Sequence, residues 1–289
     1  MTIQLYMDTC DSVDKTQPFI MGIDEAGRGP VMGPMVYGSC WCPVSQQDAL
    51  KKLKFDDSKK LSENAREKLF DVVLANSKIM GFQTVVSTPE HISQLMNRRT
   101  PVSLNVISHD SAIQMIESVL KKGINLQEVY LDTVGTPKTY QDKLYKLFPN
   151  IPKIVVSSKA DSLYPIVSAA SICAKVIRDS LVKNTTFDQL NLSESETPNL
   201  EFGSGYPSDP VTKKWLTDNG DKIFGFPNCI RFSWSTAVNA MKKQSCHVVW
   251  PPKNNAKPSK YFVPTSENIK NKRFQYFEQN SISRIDNEF

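Results

Sequence analysis

Four carboxylates stand where their spacing allows chemistry: Asp24, Glu25, Asp132 and Asp161. Asp24 and Glu25 come shortly after a strand-length apolar run, Pro18-Phe19-Ile20-Met21. They are followed at once by Gly27-Arg28-Gly29-Pro30, whose glycines let backbone come close to a ligand. Asp132 ends the candidate strand Val129-Tyr130-Leu131, and Asp161 follows Ile154-Val155-Val156, just ahead of a helical stretch. Gathered at one sheet end, four such acids repel one another unless cations lie among them. Oxygen donors without His or Cys suit Mg2+ or Mn2+ over zinc. Two such ions about 4 Å apart activate a water and stabilise the leaving oxygen of an in-line phosphoryl displacement. The same residues also read as a hairpin-like turn with two solvated acids, and as helix caps or surface pairs; spacing alone leaves both readings open. Neighbours in a regular strand point to opposite faces, so Asp24 and Glu25 share a ligand only if the strand ends or twists there.

The elements that must position these acids fall into two rhythms. Strands at 18–21, 35–42 and 79–86 have short connections and predict an antiparallel meander. A helix over 62–75, capped by Ser62, carries Ala65, Leu69 and Val73 on one face. From 104 onward the order is helix, strand, helix, strand, the pattern of parallel pairing through crossovers. The helix over 104–120 has Val106, Ile113, Ile116 and Leu120 as its expected apolar face. The fold class is therefore α/β: a mixed five-stranded sheet, three antiparallel strands then two parallel, flanked by helices and followed by a helical C-terminal extension. A long helix over 165–181 carries two stripes. Val167, Ala170, Ala174, Ile177 and Leu181 are apolar; Ser168, Ser171, Lys175 and Arg178 form a second face, which reads as a solvated surface or as a track for a phosphate backbone. Gly203-Ser204-Gly205-Tyr206-Pro207 is rigid turn chemistry that holds an aromatic in place. Helical segments over 211–217 and 235–243 follow.

Bulk properties bound the rest. A chain of 289 residues, 40% hydrophobic and 22% charged, suits one large globular domain with appendages. Its formal charge of +5 is concentrated at 251–273, where Lys253, Lys257, Lys260, Lys270, Lys272 and Arg273 face only Glu267, so the body is close to neutral. Four regions result: an N-terminal segment 1–17, a catalytic domain 18–190, a loop and helical region 191–245 that opens on an acidic stretch, and a basic tail 246–289. Six scattered cysteines without a CxxC pair, and three histidines, argue against a zinc module and a disulfide framework. The first residues lack a basic, apolar leader and no run reaches membrane-spanning length, which points to an intracellular compartment.

Several stretches together resemble the type 2 ribonuclease H family, and within it the catalytic (A) subunits of the eukaryotic enzymes. They are Gly22-Ile23-Asp24-Glu25-Ala26-Gly27-Arg28-Gly29-Pro30, Asp57-Ser58-Lys59, Leu104-Asn105 with Ser108-His109-Asp110, and Leu131-Asp132-Thr133-Val134-Gly135. Lys159-Ala160-Asp161 with Tyr164-Pro165, Ser168-Ala169-Ala170-Ser171, Gly203-Ser204-Gly205-Tyr206-Pro207 and Arg231-Phe232-Ser233-Trp234 continue the order. The resemblance implies a ribonuclease H-like fold, with Asp24, Glu25, Asp132 and Asp161 as the catalytic carboxylates that hold Mg2+ or Mn2+, two ions during catalysis. It implies that Gly27, Arg28 and Gly29 sense a ribose 2′-hydroxyl, largely through backbone, and that Tyr206 bonds this hydroxyl and packs on the next sugar. From the residues alone, Tyr206 is equally a turn-packing aromatic. Lys59 and Arg178 match phosphate contacts. The implied substrates are RNA/DNA hybrids and single ribonucleotides embedded in duplex DNA. Cleavage falls 5′ to the ribonucleotide and leaves a 5′-phosphate and a 3′-hydroxyl, in removal of misincorporated ribonucleotides and RNA primers. Two non-catalytic subunits (B and C), a heterotrimer and a nuclear location are implied with it. A non-catalytic binding protein of the same fold and a related DNA nuclease are the readings it competes with.

Overall fold

Strand-forming residues recur in six segments of the computed structural model: β1 (Thr2–Met7), β2 (Phe19–Ala26), β3 (Met35–Pro43), β4 (Gly81–Ser87), β5 (Leu126–Asp132) and β6 (Lys153–Ser157). The structure describes residues 2–7, 14–53, 55, 61–77, 79–184 and 201–246. The chain divides into a unit Met1–Cys246 and a unit His247–Phe289. The second unit lies outside the described residues, as do the acidic stretch at 191–200 and Lys59.

The strands form one sheet in the order β1-β4-β3-β2-β5-β6. β2, β3 and β4 make the antiparallel meander, and β2, β5 and β6 run parallel, so the five expected strands take their expected arrangement. The sixth is a finding: β1, from the N-terminal segment, pairs antiparallel with β4. At the opposite edge, α5 (Pro137–Leu147) covers the strand's unpaired donors. Ile154 N donates to the Tyr145 hydroxyl at 2.9 Å and Val156 N to Gln141 Oε1 at 3.1 Å, which blunts that edge for pairing with another chain.

Helices cover both faces. α1 (Gln47–Lys52), α2 (Glu63–Ala75), α3 (Pro89–Asn97) and α4 (Leu104–Lys121) precede α5; α6 (Ala160–Leu163), α7 (Pro165–Lys183), α8 (Pro210–Asp218) and α9 (Ser235–Gln244) follow it. The Ser62 hydroxyl accepts from Ala65 N and caps α2 as its sequence predicts. Phe19, Met21, Ile23, Tyr37 and Leu131 on one sheet face pack with Met115 and Ile116 of α4 and Tyr140 of α5. Ile20, Cys40, Phe82 and Tyr130 on the other face pack with Ile166, Val167 and Ala170 of α7. There the helix backbone meets the sheet directly. A Cβ on Gly22 would lie 2.5 Å from the Ile166 carbonyl carbon, and one on Gly38 2.4 Å from the Ala170 oxygen.

Two expected faces differ. α4 buries Ile107, Ser108, Ser111, Ala112, Met115, Ile116 and Val119, while Val106 and Leu120 are exposed. Small and hydroxylated residues, which carry no apolar signal, make up nearly half of its buried side. On α7, Ser168 and Ser171 are buried because the N-terminal half of this helix is covered all round; further along, Lys175 is partly exposed and Arg178 is buried beneath the Gly27 turn. α1, α3 and α6 were not expected; α1 and α6, of six and four residues, are too short for a repeating apolar period to show.

Candidate active site

Asp24 lies inside β2, not beyond it, since that strand runs on to Ala26. The parallel pairing Ile23↔Leu131 makes Asp24 and Asp132 the next residues along two neighbouring strands. Asp24 pairs across with Gly38, on the sheet face covered by α7, and Ser171 of α7 hydrogen-bonds its carboxylate. Glu25 pairs with Tyr37 and, by strand alternation, faces the other layer. Its charge, after burial, raises the pKa of both Tyr37 and Tyr140. The two adjacent acids thus take opposite faces of one strand end, yet their charges remain close enough to interact.

Asp161 reaches the same end of the sheet by a turn. After β6 the chain passes through Lys159 in the left-handed region (φ 58°), and α6 starts at Ala160. Asp132 Oδ1 accepts from Thr133 N at 3.0 Å and from Ala160 N at 3.3 Å, so the amide just before Asp161 is tied to the β5 carboxylate. Ser168 of α7 donates to the Asp161 carbonyl. Asp24 and Asp161 are both buried, at 4% and 2% exposure.

The pKa of Asp24 is driven well above the usual carboxylate range. Burial is the largest cause, the Glu25 charge next and the Asp132 charge smaller; the bonds from Ser171 and from Glu25 N (2.8 Å) oppose them. A buried carboxylate pushed up by its carboxylate neighbours is the electrostatic situation that a divalent ion relieves, and oxygen-only donors suit a hard cation. Among the described residues, no three His, Cys, Asp or Glu side chains already stand at ion-holding distance.

Beside the acids, the turn after β2 is gripped from below. Gly27 has φ +75°, and a Cβ there would lie 2.6 Å from the Pro34 oxygen, so a side chain is barred twice. Arg231 is fully buried and donates to the carbonyls of Gly27, Arg28 (2.9 Å) and Gly33 (3.0 Å). Trp234 Nε1 donates to the Gly29 carbonyl at 3.0 Å, and the Arg231 guanidinium lies 4.8 Å from the Trp234 ring centroid. Burial, then the Arg178 charge, presses the Arg231 pKa down to about 9, so it remains charged at neutral pH. The Arg28 side chain donates to Ser108 Oγ and Asn105 Oδ1, both at 2.5 Å.

Tyr206 is 43% exposed and lies against the turn: a Cβ on Gly29 would be 3.2 Å from its ring. Its loop is held by Val31 N, which donates to the Gly205 carbonyl at 2.8 Å, and by Asp209, whose Oδ2 accepts from Ser204 N at 2.7 Å. The Ser204 hydroxyl, which donates to the same Oδ2 at 2.6 Å, and then the amides of Ser204 and Val211 hold the Asp209 carboxyl down to about 2.

The structure therefore brings Asp24, Glu25, Asp132, Asp161, Gly27, Arg28, Gly29 and Tyr206 to neighbouring positions at one end of the sheet. Arg178, matched in sequence to a phosphate contact, packs against this turn from within. It is buried under the turn, with Nη1 on Asp179 Oδ1 at 3.1 Å and its side chain where a Gly27 Cβ would point. Arg231, Trp234 and Asn105 match the family's pattern in the sequence but have no role legible there. An arginine inside the apolar run Cys229-Ile230-Arg231-Phe232 was the signal that this charge had backbone to bind.

The family model described as ribonuclease HII matches residues 21–237. The ribonuclease H2 A subunit of Dictyostelium discoideum is 55% identical over 287 residues, covering 99% of this chain and 98% of that protein. The corresponding A subunit of Homo sapiens is 46% identical over 239 residues, 83% of this chain and 78% of that one. Among solved structures, the ribonuclease H2 of Pyrococcus horikoshii OT3 superposes with a TM-score of 0.63 at 32% identity, covering 78% of this chain and 98% of that one. Matched over the stretch that contains the four acids, the glycine turn and the Tyr206 loop, the chain belongs to the ribonuclease HII family and is an endoribonuclease of the type 2 ribonuclease H catalytic-subunit kind.

Proposed function

We propose that the chain hydrolyses the phosphodiester 5′ to a ribonucleotide, in RNA/DNA hybrids and at single ribonucleotides within duplex DNA, leaving a 5′-phosphate and a 3′-hydroxyl. The observation that carries this reading is the placement of buried Asp24 beside Asp132 on neighbouring parallel strands, next to a glycine turn whose carbonyls are held from below. Asp24, Glu25, Asp132 and Asp161 would hold two Mg2+ or Mn2+ ions. Bound there, such ions would make water a nucleophile near neutral pH and stabilise the leaving oxygen.

The protein's own groups do the selecting. Arg231 and Trp234 engage the carbonyls of Gly27, Arg28 and Gly29, and Arg28's guanidinium is committed to Asn105 and Ser108. What the turn offers a substrate is its amide N–H groups, small enough in outline to reach a 2′-hydroxyl, the group that tells RNA from DNA. Tyr206, seated on Gly29, is placed to bond the same hydroxyl and to pack on the following sugar. Ser171 and Ser168 orient Asp24 and Asp161.

That the relatives are A subunits of a larger enzyme supports assembly with further chains, which we read as two non-catalytic subunits (B and C). Residues 18–190 serve as the catalytic domain, 191–245 as the substrate-contacting region and the basic tail as a partner-binding segment, in a nuclear enzyme that removes misincorporated ribonucleotides and RNA primers. Among the described residues, no helix is long and apolar enough to cross a membrane.

A duplex carrying one ribonucleotide, with an all-DNA duplex as control, tests the reading. Cleavage requires Mg2+ or Mn2+ and is lost in Asp132→Asn without loss of fold. Tyr206→Ala lowers cutting at the single ribonucleotide more than on a continuous hybrid. Undiminished cutting by Asp132→Asn, or equal cutting of the all-DNA duplex, refutes it.

A further inference from the structure

We propose that His109 is a positioning residue for the hydrolysis: its ring, stacked on Tyr140, holds the turn that follows Asp132. This rests on the function proposed above. His109 lies on α4, half-buried, and its ring stacks nearly flat on Tyr140 of α5, with centroids 3.8 Å apart and planes 11° from parallel. Its Nε2 is 3.1 Å from the Val134 carbonyl oxygen, an acceptor only, so Nε2 carries the proton and donates. One ring thereby ties the loop between β5 and α5, at Val134, to the helix that follows it, at Tyr140.

The same stretch of α4 grips the loop and the glycine turn together. Asn105 Nδ2 sits 3.3 Å from where a Cβ on Gly135 would be, and Asn105 and Ser108 hold Arg28. Inside the loop, Thr133 Oγ1 donates to the Gly135 carbonyl at 3.3 Å, and Thr133 N to Asp132 Oδ1 at 3.0 Å. A shift at Val134 is therefore passed to the Asp132 carboxylate through a short chain of bonds. Tyr140 is buried, which fixes the ring on which His109 stacks. His109 thus stands behind Asp132 without touching it in the role described. Lys143, Asp110 and Arg28 complete the charged groups around it. A space-filling core histidine would need the stack but not the bond, and that difference separates the two roles.

His109→Phe keeps a flat ring for Tyr140 and loses the donor; His109→Gln loses the stack and keeps an N–H at a similar reach. Three measurements apply to the full chain with any partners it needs: amide exchange at 133–136 without ions, Mn2+ affinity by calorimetry without substrate, and steady-state cleavage of the single-ribonucleotide duplex. In His109→Phe, exchange rises about tenfold, Mn2+ affinity and kcat fall by about tenfold to a hundredfold, and KM for the duplex is unchanged, as for partners that orient metal-holding groups. His109→Gln recovers most of each. Wild-type exchange and Mn2+ affinity in His109→Phe, or equal losses in both variants, overturn the proposal. A wild-type protein that fails to cleave refutes the proposed function, while the exchange and Mn2+ measurements still decide the role of His109.

Discussion

Replacing Arg231 with methionine removes the charge that three backbone carbonyls share. The guanidinium is fully buried, and its bonds to Gly27, Arg28 and Gly33 fix both ends of the turn that presents Gly29. Methionine fills a comparable volume but leaves those acceptors without this donor, at about 1–3 kcal/mol for each one that finds no other partner. Part of this is offset, because a charge pressed by burial and by Arg178 goes with it. A net loss of about 3–5 kcal/mol follows, or about 10 °C in the unfolding midpoint for a unit of this size. Lysine does not rescue, since one ammonium on a flexible stem cannot serve three carbonyls in the fork geometry of a guanidinium. Where the variant still folds, at low temperature, cleavage at a single ribonucleotide falls by about a hundredfold, because a displacement of about 1 Å in a positioning turn is enough. Thermal unfolding followed by single-turnover cleavage reads both effects. An Arg231→Met protein that melts within 2 °C of wild type, roughly the effect of less than 1 kcal/mol, and cleaves as well would refute the account of the turn.

Two further outcomes follow from the same geometry. Asp24 has a folded pKa above its unfolded value, so its contribution to stability is fully present below the unfolded pKa and is lost as pH rises through the folded one. The ion-free protein therefore melts lower as pH rises from about 4, the slope is shallower in Asp24→Asn, and added Mg2+ reduces it in wild type; identical slopes in the two proteins would remove Asp24 as the source. Gly38→Ala places a methyl 2.4 Å from the Ala170 oxygen and 3.0 Å from Ala174 of α7. Backbone cannot yield as a side-chain tip can, so urea unfolding shows a loss of about 1–3 kcal/mol or more, and an unchanged midpoint would contradict the direct contact of helix and sheet.

Much of the architecture was legible in local pattern. Strand-length apolar runs, the Ser62 cap and the change from short connections to helical crossovers each depend on neighbours in the chain, and each took the expected form. β1 was not legible, because the N-terminal strand is defined by pairing with β4, a partner about eighty residues away. The buried side of α4 was misread for a related reason: Ser108 is buried by what it meets, Arg28 and Met35, and Ser111 turns its hydroxyl back onto the Ile107 carbonyl, so neither is buried by its own hydrophobicity.

The identity and order of the four acids, the glycines of the turn and the aromatic at 206 were determined by the sequence itself, since donor chemistry and backbone freedom are properties of residue type. Tertiary structure alone decided how those groups act. Parallel pairing of β2 with β5 set Asp24 beside Asp132, the left-handed turn at Lys159 brought Asp161 alongside, and packing of α7 turned Ser171 toward Asp24. Burial likewise moved Arg178 from a candidate surface contact to a support beneath Gly27, and made Arg231 the clamp on the turn. Charge, solvation and hydrogen bonding at these positions depend on distances between segments far apart in the chain, and those distances exist only once the sheet has formed.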